Sequence, residues 1–196
     1  LQEKFYNKVL DGKDEFKNYL ITINRQIKDI ESLVNEFSSF ARMPSPVFKK
    51  IKIDSIIQRA IDFYKMSSVN KIIFKILTKN IYINGDEEQL YRVFINLIKN
   101  SEDSILDKKE KNIDFQGKIS LEIVRNNDYT AITLIDNGIG IEDATKIMTP
   151  YFTTKKNGTG LGLPIVTKII NEHLGDIVIT DNKPGAKVLI NLPIIK

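Results

Sequence analysis

Five residues, Asp136-Asn137-Gly138-Ile139-Gly140, set one acid in a glycine turn at the end of an apolar run. A carboxylate is acceptor-only, so it can take a hydrogen bond from an amino group on a purine. The glycines let backbone approach a flat ring with no Cβ in the way. Further along, Gly158-Thr159-Gly160-Leu161-Gly162-Leu163 opens an apolar helical stretch. Free backbone donors and the positive end of a helix dipole make such a loop a phosphate cradle. Thr159 can add a hydroxyl, and Lys155 a positive charge. Between the loops lies Pro150-Tyr151-Phe152-Thr153-Thr154-Lys155. Upstream, Asn96 and Asn100 stand four apart, so their amides leave one face of a helix, with Asp103 on the same stripe. An amide oxygen is a hard, neutral ligand suited to phosphate-bound Mg²⁺. In this order the four segments point to a purine nucleotide site.

Taken singly, each segment has a plainer reading. Asp136–Gly140 could be an ordinary Asp-Asn-Gly turn between strands. The asparagine pair and Asp103 could be a solvated polar edge. His173, the single histidine, falls at the end of the last helix, where it can cap carbonyls and meet the dipole. That structural role is favoured over catalysis. Two other phosphate motifs are excluded. The glycines read G-x-G-x-G after a polar stretch, not G-x-G-x-x-G after a strand, and no Gly-Lys-Ser/Thr is present.

The elements that must position these residues follow from the pattern. The 196 residues carry 42% apolar side chains, enough for a packed core, with 28% charged for the surface. With no cysteine there is neither disulfide nor thiolate metal site, which is compatible with a cytoplasmic setting. No apolar run approaches the roughly 20 residues of a membrane helix, and none reads as a signal peptide. A dispersed net charge of +4 fits solvated lysine faces rather than a nucleic-acid groove.

Phe16, Leu20, Ile23, Ile27, Ile30, Val34 and Phe37 alternate spacings of four and three, a heptad seam. The long helix that carries it needs partner helices, with Asp14 a candidate cap and residues 1–10 the end of an earlier helix. Pro44 and Pro46 stop it near Met43, and domains are expected over 1–46 and 47–196. In the second, strands are expected near 48–53, 72–77 and 81–84, with helices near 54–66 and 87–106. Leu90, Phe94, Leu97, Ser101 and Ile105 share one face of the latter. Residues 107–117 read as a loop. Strands near 118–124 and 129–135, a helix near 161–173, and strands near 176–180 and 186–192 complete the chain. The order predicts an α+β fold, a two-layer α/β sandwich with helices on one face of a mixed sheet.

These motifs, in this order, resemble the catalytic domain of sensor histidine kinases, whose fold is shared with Hsp90-like ATPases. Asn96–Asn100 resembles the N box, Asp136–Gly140 the first glycine box, Tyr151–Lys155 the F box and Gly158–Leu163 the second glycine box. The likeness covers residues from about 47 to 195. The front part resembles the second helix of the dimerisation and phosphotransfer domain. Leu33-Val34-Asn35-Glu36-Phe37-Ser38-Ser39-Phe40-Ala41-Arg42-Met43-Pro44 looks like nitrogen-regulation kinases of the NtrY type.

The resemblance implies that Asp136 reads the adenine amino group, with Gly138 and Gly140 against the ring. Asn100 would bind Mg²⁺, with Asn96 beside it. Phe152, Thr153, Thr154 and Lys155 would belong to a mobile lid, and Gly158, Thr159, Gly160, Leu161 and Gly162 would hold the phosphates of ATP. Related ATP hydrolases carry a glutamate where Asn96 stands; an amide cannot act as that base, which favours phosphoryl transfer to a histidine. The acceptor histidine of the family lies on the first dimerisation helix, and this stretch is expected to begin after it. The chain then reads as a kinase fragment that binds ATP and cannot autophosphorylate alone. A response regulator and a second copy, paired through the front helix, are the implied protein partners. A cytoplasmic domain of a protein anchored in the inner membrane is the implied location. Rival readings are an ATPase or an anti-sigma-type serine kinase of the same fold, or a non-enzymatic dimeric nucleotide-binding module.

Overall fold

The structure is a computed structural model that describes residues 13–41, 43–66, 68, 70–141, 143, 146–149, 151–153, 155 and 158–195. Two compact units form. One takes in the first helix and Lys155–Thr159; the other runs over Pro44–Thr154 and Gly160–Lys196.

In the first unit, α1 spans Lys13–Ala41. All seven seam residues, Phe16 to Phe37, are between 43 and 63% exposed. The expected stop before Pro44 is met, since α1 ends at Ala41. The helix expected within residues 1–10 and the cap assigned to the Asp14 side chain lie outside the described residues.

The larger unit places β1 (Lys49–Lys52), α2 (Ile53–Lys65), β2 (Lys71–Ile76), β3 (Tyr82–Gly85), α3 (Glu87–Lys111), β4 (Lys118–Asn126), β5 (Tyr129–Asp136), α4 (Gly162–Glu172), β6 (Asp176–Asp181) and β7 (Ala186–Pro193) in chain order. Five strands make one mixed sheet in the order β2-β4-β5-β7-β6. Its β2–β4 pair is parallel and the other pairs are antiparallel. The predicted strands at the front do not all join it: β1 and β3 pair with each other as a separate antiparallel ribbon.

Strand parity builds the core. Ile119, Leu121 and Ile123 of β4, Ile132 and Leu134 of β5, and Val188, Ile190 and Leu192 of β7 are all buried on one face. Helices α2, α3 and α4 cover that face, packing on each other and on β2, β4 and β6. The predicted helical stripe is correct, because Leu90, Phe94, Leu97, Ser101 and Ile105 are all buried. Each fully buried large aliphatic chain contributes about 1.5–3 kcal/mol.

One boundary requires correction. The stretch from Asp107 begins as helix, and α3 continues to Lys111 before the chain turns. Its last turns are held from outside: Lys108 Nζ donates to the carbonyls of Asn137 and Gly138 at 2.8 and 2.9 Å, and Lys109 Nζ to Asn70 Oδ1 at 2.8 Å. At the other end, Asp86 caps α3 through Oδ1, which accepts from Gln89 N at 3.0 Å.

The segment ahead of β1 is docked at the same end. Gln89 Nε2 donates to Pro44 O at 3.0 Å, and Val47 N donates to Asp86 Oδ2 at 2.8 Å. Phe48 meets the His173 ring edge-on at 5.1 Å. His173 is 2% exposed and engaged at both ring nitrogens, with Nε2 accepting from Asp86 N at 2.9 Å and Nδ1 lying 2.8 Å from Ile169 O. Its role is therefore structural, as its place at the helix end predicts.

Candidate functional site

Asp136 is the last residue of β5, and strand parity places it on the inner face with Thr130, Ile132 and Leu134. A carboxylate thus takes a core position, 4% exposed and opposite Ile119 of β4. Such burial is tolerated only with partners. Oδ1 accepts from Gly138 N at 2.9 Å and Ala186 N at 3.3 Å, and Oδ2 accepts from Ser101 Oγ at 3.1 Å. Burial pushes the carboxyl above its ordinary range. The bonds from Gly138, Ala186 and Ser101 and the charge of Lys108 work the other way. A carboxylate has about four acceptor positions, so the three bonds leave room for one further donor.

One stripe of α3 supports the turn that follows. Ser101, Ser104 and Lys108 are spaced three and four apart and meet it in succession. Ser101 holds Asp136, Ser104 Oγ and O both accept from Ile139 N at 3.1 and 3.3 Å, and Lys108 holds the two carbonyls between. A Cβ at Gly138 would overlap Ser104 Oγ and lie 2.8 Å from the Ser104 main-chain carbon. The close approach that demands a glycine there is to the protein's own helix. Gly140 instead faces Asp181, whose Oδ1 accepts from Ile141 N at 3.2 Å. Asn137 ties the turn to β4, with Oδ1 accepting from Lys118 N at 2.8 Å and Nδ2 donating to Gln116 O at 3.0 Å.

Earlier on α3, the asparagine pair meets the start of α4. A Cβ at Gly162 would lie 3.5 Å from Asn96 Oδ1 and 3.9 Å from Asn100 Nδ2. Asn96 Nδ2 donates back to Arg92 O at 2.9 Å, which turns its oxygen toward Gly162. Asp103 continues the stripe, and its charge reaches Tyr64, whose phenol is pushed up to about 12, chiefly by burial. Leu161 is buried at the N-cap of α4 with no side-chain cap, and no acid lies in the first turn. The positive end of that helix is therefore not neutralised by its own side chains.

Gly160, at φ 69°, closes against the segment before it. A Cβ there would lie 2.5 Å from Tyr151 C and 2.7 Å from Phe152 N. Tyr151 N donates to Gly160 O at 3.1 Å, and Thr167 Oγ1 of α4 meets Met148 Sδ at 3.5 Å. Phe152 is half-buried; Thr153 is exposed. Lys155, Gly158 and Thr159 belong to the unit of α1, where Gly158 N donates to Lys155 O at 3.2 Å. Pro150, Thr154, Lys156 and Asn157, expected in the same segment, lie outside the described residues.

In the larger unit α3 thus meets Gly162 through Asn96 and Asn100, and the turn after Asp136 through Ser101, Ser104 and Lys108, while Gly140 lies against Asp181. Ser101, Ser104 and Lys108 are site supports that motif reading missed. The signal was present in the 3-4 spacing, hidden because Ser101 already counted as core and Lys108 as loop. Among the described residues, no group of three His, Asp or Glu side chains could hold a metal. An amide oxygen is the kind of ligand a phosphate-bound hard cation takes; at Gly162 Asn96 presents its oxygen and Asn100 its Nδ2.

Residues 85–196 match the family described as histidine kinase-, DNA gyrase B-, and HSP90-like ATPase. The nitrogen regulation protein NtrY of Azorhizobium caulinodans is 32% identical over 98% of this chain and 25% of its own length. The putative NtrY-like sensor histidine kinase of Rickettsia felis is 33% identical over 95% of this chain and 31% of its own. The chain thus spans between a quarter and a third of these relatives. Among solved structures, histidine kinase ThkA in complex with response regulator protein TrrA matches with a TM-score of 0.73 at 20% identity, over 92% of this chain and 52% of ThkA.

Proposed function

The chain belongs to the histidine kinase-, DNA gyrase B- and HSP90-like ATPase family, and on that premise we propose that it is the ATP-binding catalytic part of a two-component sensor histidine kinase of the NtrY type. Asp136 reads the adenine amino group at one end of the site. Asn100, with Asn96 beside it, holds Mg²⁺ at the other, and the start of α4 faces the phosphates. The sequence resemblance assigns Phe152, Thr153, Thr154 and Lys155 to a lid, and Gly158 and Thr159 to phosphate binding. Bound Mg²⁺ supplies charge neutralisation on the phosphates. The γ-phosphoryl passes to a histidine and from there to a response regulator, a partner class that ThkA meets in its own complex. Asn96 offers an amide where hydrolysis would need a base, which favours transfer to protein over transfer to water. Pairing of two copies through the α1 seam completes the reading, with residues 1–46 as the dimerisation part and 47–196 as the catalytic part. No described helix is long and apolar enough to cross a membrane, and the proposed anchor belongs to the full-length protein.

The single observation that carries this reading is the buried Asp136 carboxylate, fixed by three donors with capacity for a fourth. Asp136→Asn replaces an acceptor oxygen with a donor amide facing another donor. A hydrogen bond to a charged group contributes about 1.5–3 kcal/mol, so calorimetric titration should show ATP affinity lower by on the order of 10–100-fold. Unchanged affinity would remove Asp136 from base recognition.

A further inference from the structure

Lys108 lies outside every motif of the nucleotide site, yet it makes two of the bonds that shape it. An ammonium has three donors, and Lys108 directs two of them at consecutive carbonyls, Asn137 O and Gly138 O, at 2.8 and 2.9 Å. Its charge sits 4.5 Å from the centre of the Phe115 ring, so the stem runs past a hydrophobic wall to its target. Both carbonyls belong to the turn whose Gly138 N–H bonds Asp136 Oδ1. Lys108 is also the charged side chain that acts on the Asp136 carboxylate. Loss of the ammonium would loosen the turn and, among the described residues, remove the cation that favours the ionised, accepting form of Asp136.

We propose that Lys108 is a positioning residue for base recognition, holding the 136–138 turn so that Asp136 presents an ionised oxygen to the 6-amino group of the purine. The inference rests on Asp136 as the base reader and deepens that reading. Its own content is that the last turns of α3 set the stance and charge of that reader.

The test compares two nucleotides on wild type, Lys108→Met and Lys108→Arg. Methionine keeps the stem against Phe115 without the charge, and arginine restores a cation. The nucleotides are ATP and purine riboside 5′-triphosphate, which lacks the 6-amino group. Affinities are measured calorimetrically from pH 5.5 to 8, with thermal melting to verify the fold. Lys108→Met should bind ATP on the order of tenfold more weakly and purine riboside triphosphate about as wild type does. Its loss of ATP binding on acidification should begin at higher pH, because burial then acts on Asp136 with less opposition. Lys108→Arg should recover both properties. Should the methionine variant fail to fold, Lys108→Gln replaces it under the same expectations. Equal weakening toward both nucleotides with an unmoved acid limb, or no weakening at all, overturns the proposal while leaving Asp136 as base reader. A wild type that binds the two nucleotides equally overturns the base reading itself, and the proposal with it.

Discussion

Asp136 shows what a sequence reveals about a residue. Its turn glycines and apolar strand were visible, and strand parity explains why the acid is buried. What the glycines do there was less legible. Gly138 reads as room for a ring; its missing Cβ also makes room for Ser104 of α3. Contacts of that kind arise between segments distant in sequence, and no local pattern encodes them. Gly138→Ala should therefore lower stability by about 1–3 kcal/mol through overpacking against a helix backbone that cannot yield. Gly162→Ala meets nothing closer than 3.5 Å and should change stability by less than about 0.5 kcal/mol. Denaturant titration of both variants decides it; equal losses would contradict the packing account.

Most elements were legible because hydrophobic period differs between strand and helix, and the α3 stripe and the β4–β5 pair followed that rule. Failures came where tertiary partners decide. The polar end of α3 reads as loop until Lys108 and Lys109 find their acceptors across the fold. Likewise, β1 and β3 have strand patterns that say nothing about which sheet they join. The junction of β3, α3 and α4 holds His173, whose pKa burial lowers below its ordinary value of about 6.5, while the Ile169 carbonyl, Asp86 and Glu172 pull it upward. The folded ring stays neutral where the unfolded one takes a proton. Below about pH 6.5 the unfolded chain thus binds more protons, and this contribution to stability falls as pH falls. Asp86 acts in a lower window: burial raises it, but the N–H bonds of Gln89, Val47 and Glu88 prevail and leave it below its ordinary value. Between pH 7 and 5 the melting temperature of wild type should fall more steeply than that of His173→Leu, the effect of raised Asp136 being common to both. Parallel slopes would rule this linkage out.

For the whole molecule, the order of four motifs revealed the ATPase family fold, whereas the seam of α1 declared only a need for partners. One chemical limit belongs to this scale. The sequence contains a single histidine, and both of its ring nitrogens are engaged in the core. Incubation of the 196-residue chain with γ-labelled ATP should leave no acid-labile phosphate on it, and robust labelling would contradict that. The 25 residues of α3 have a last consequence. Gln89 in the first turn grips Pro44, and Ser101 grips Asp136 about 18 Å along the axis at 1.5 Å per residue. The segment ahead of β1 and the adenine end are thus tethered to a single rod, and Ser101, Ser104 and Lys108 hold their turn from the same helix that grips Pro44.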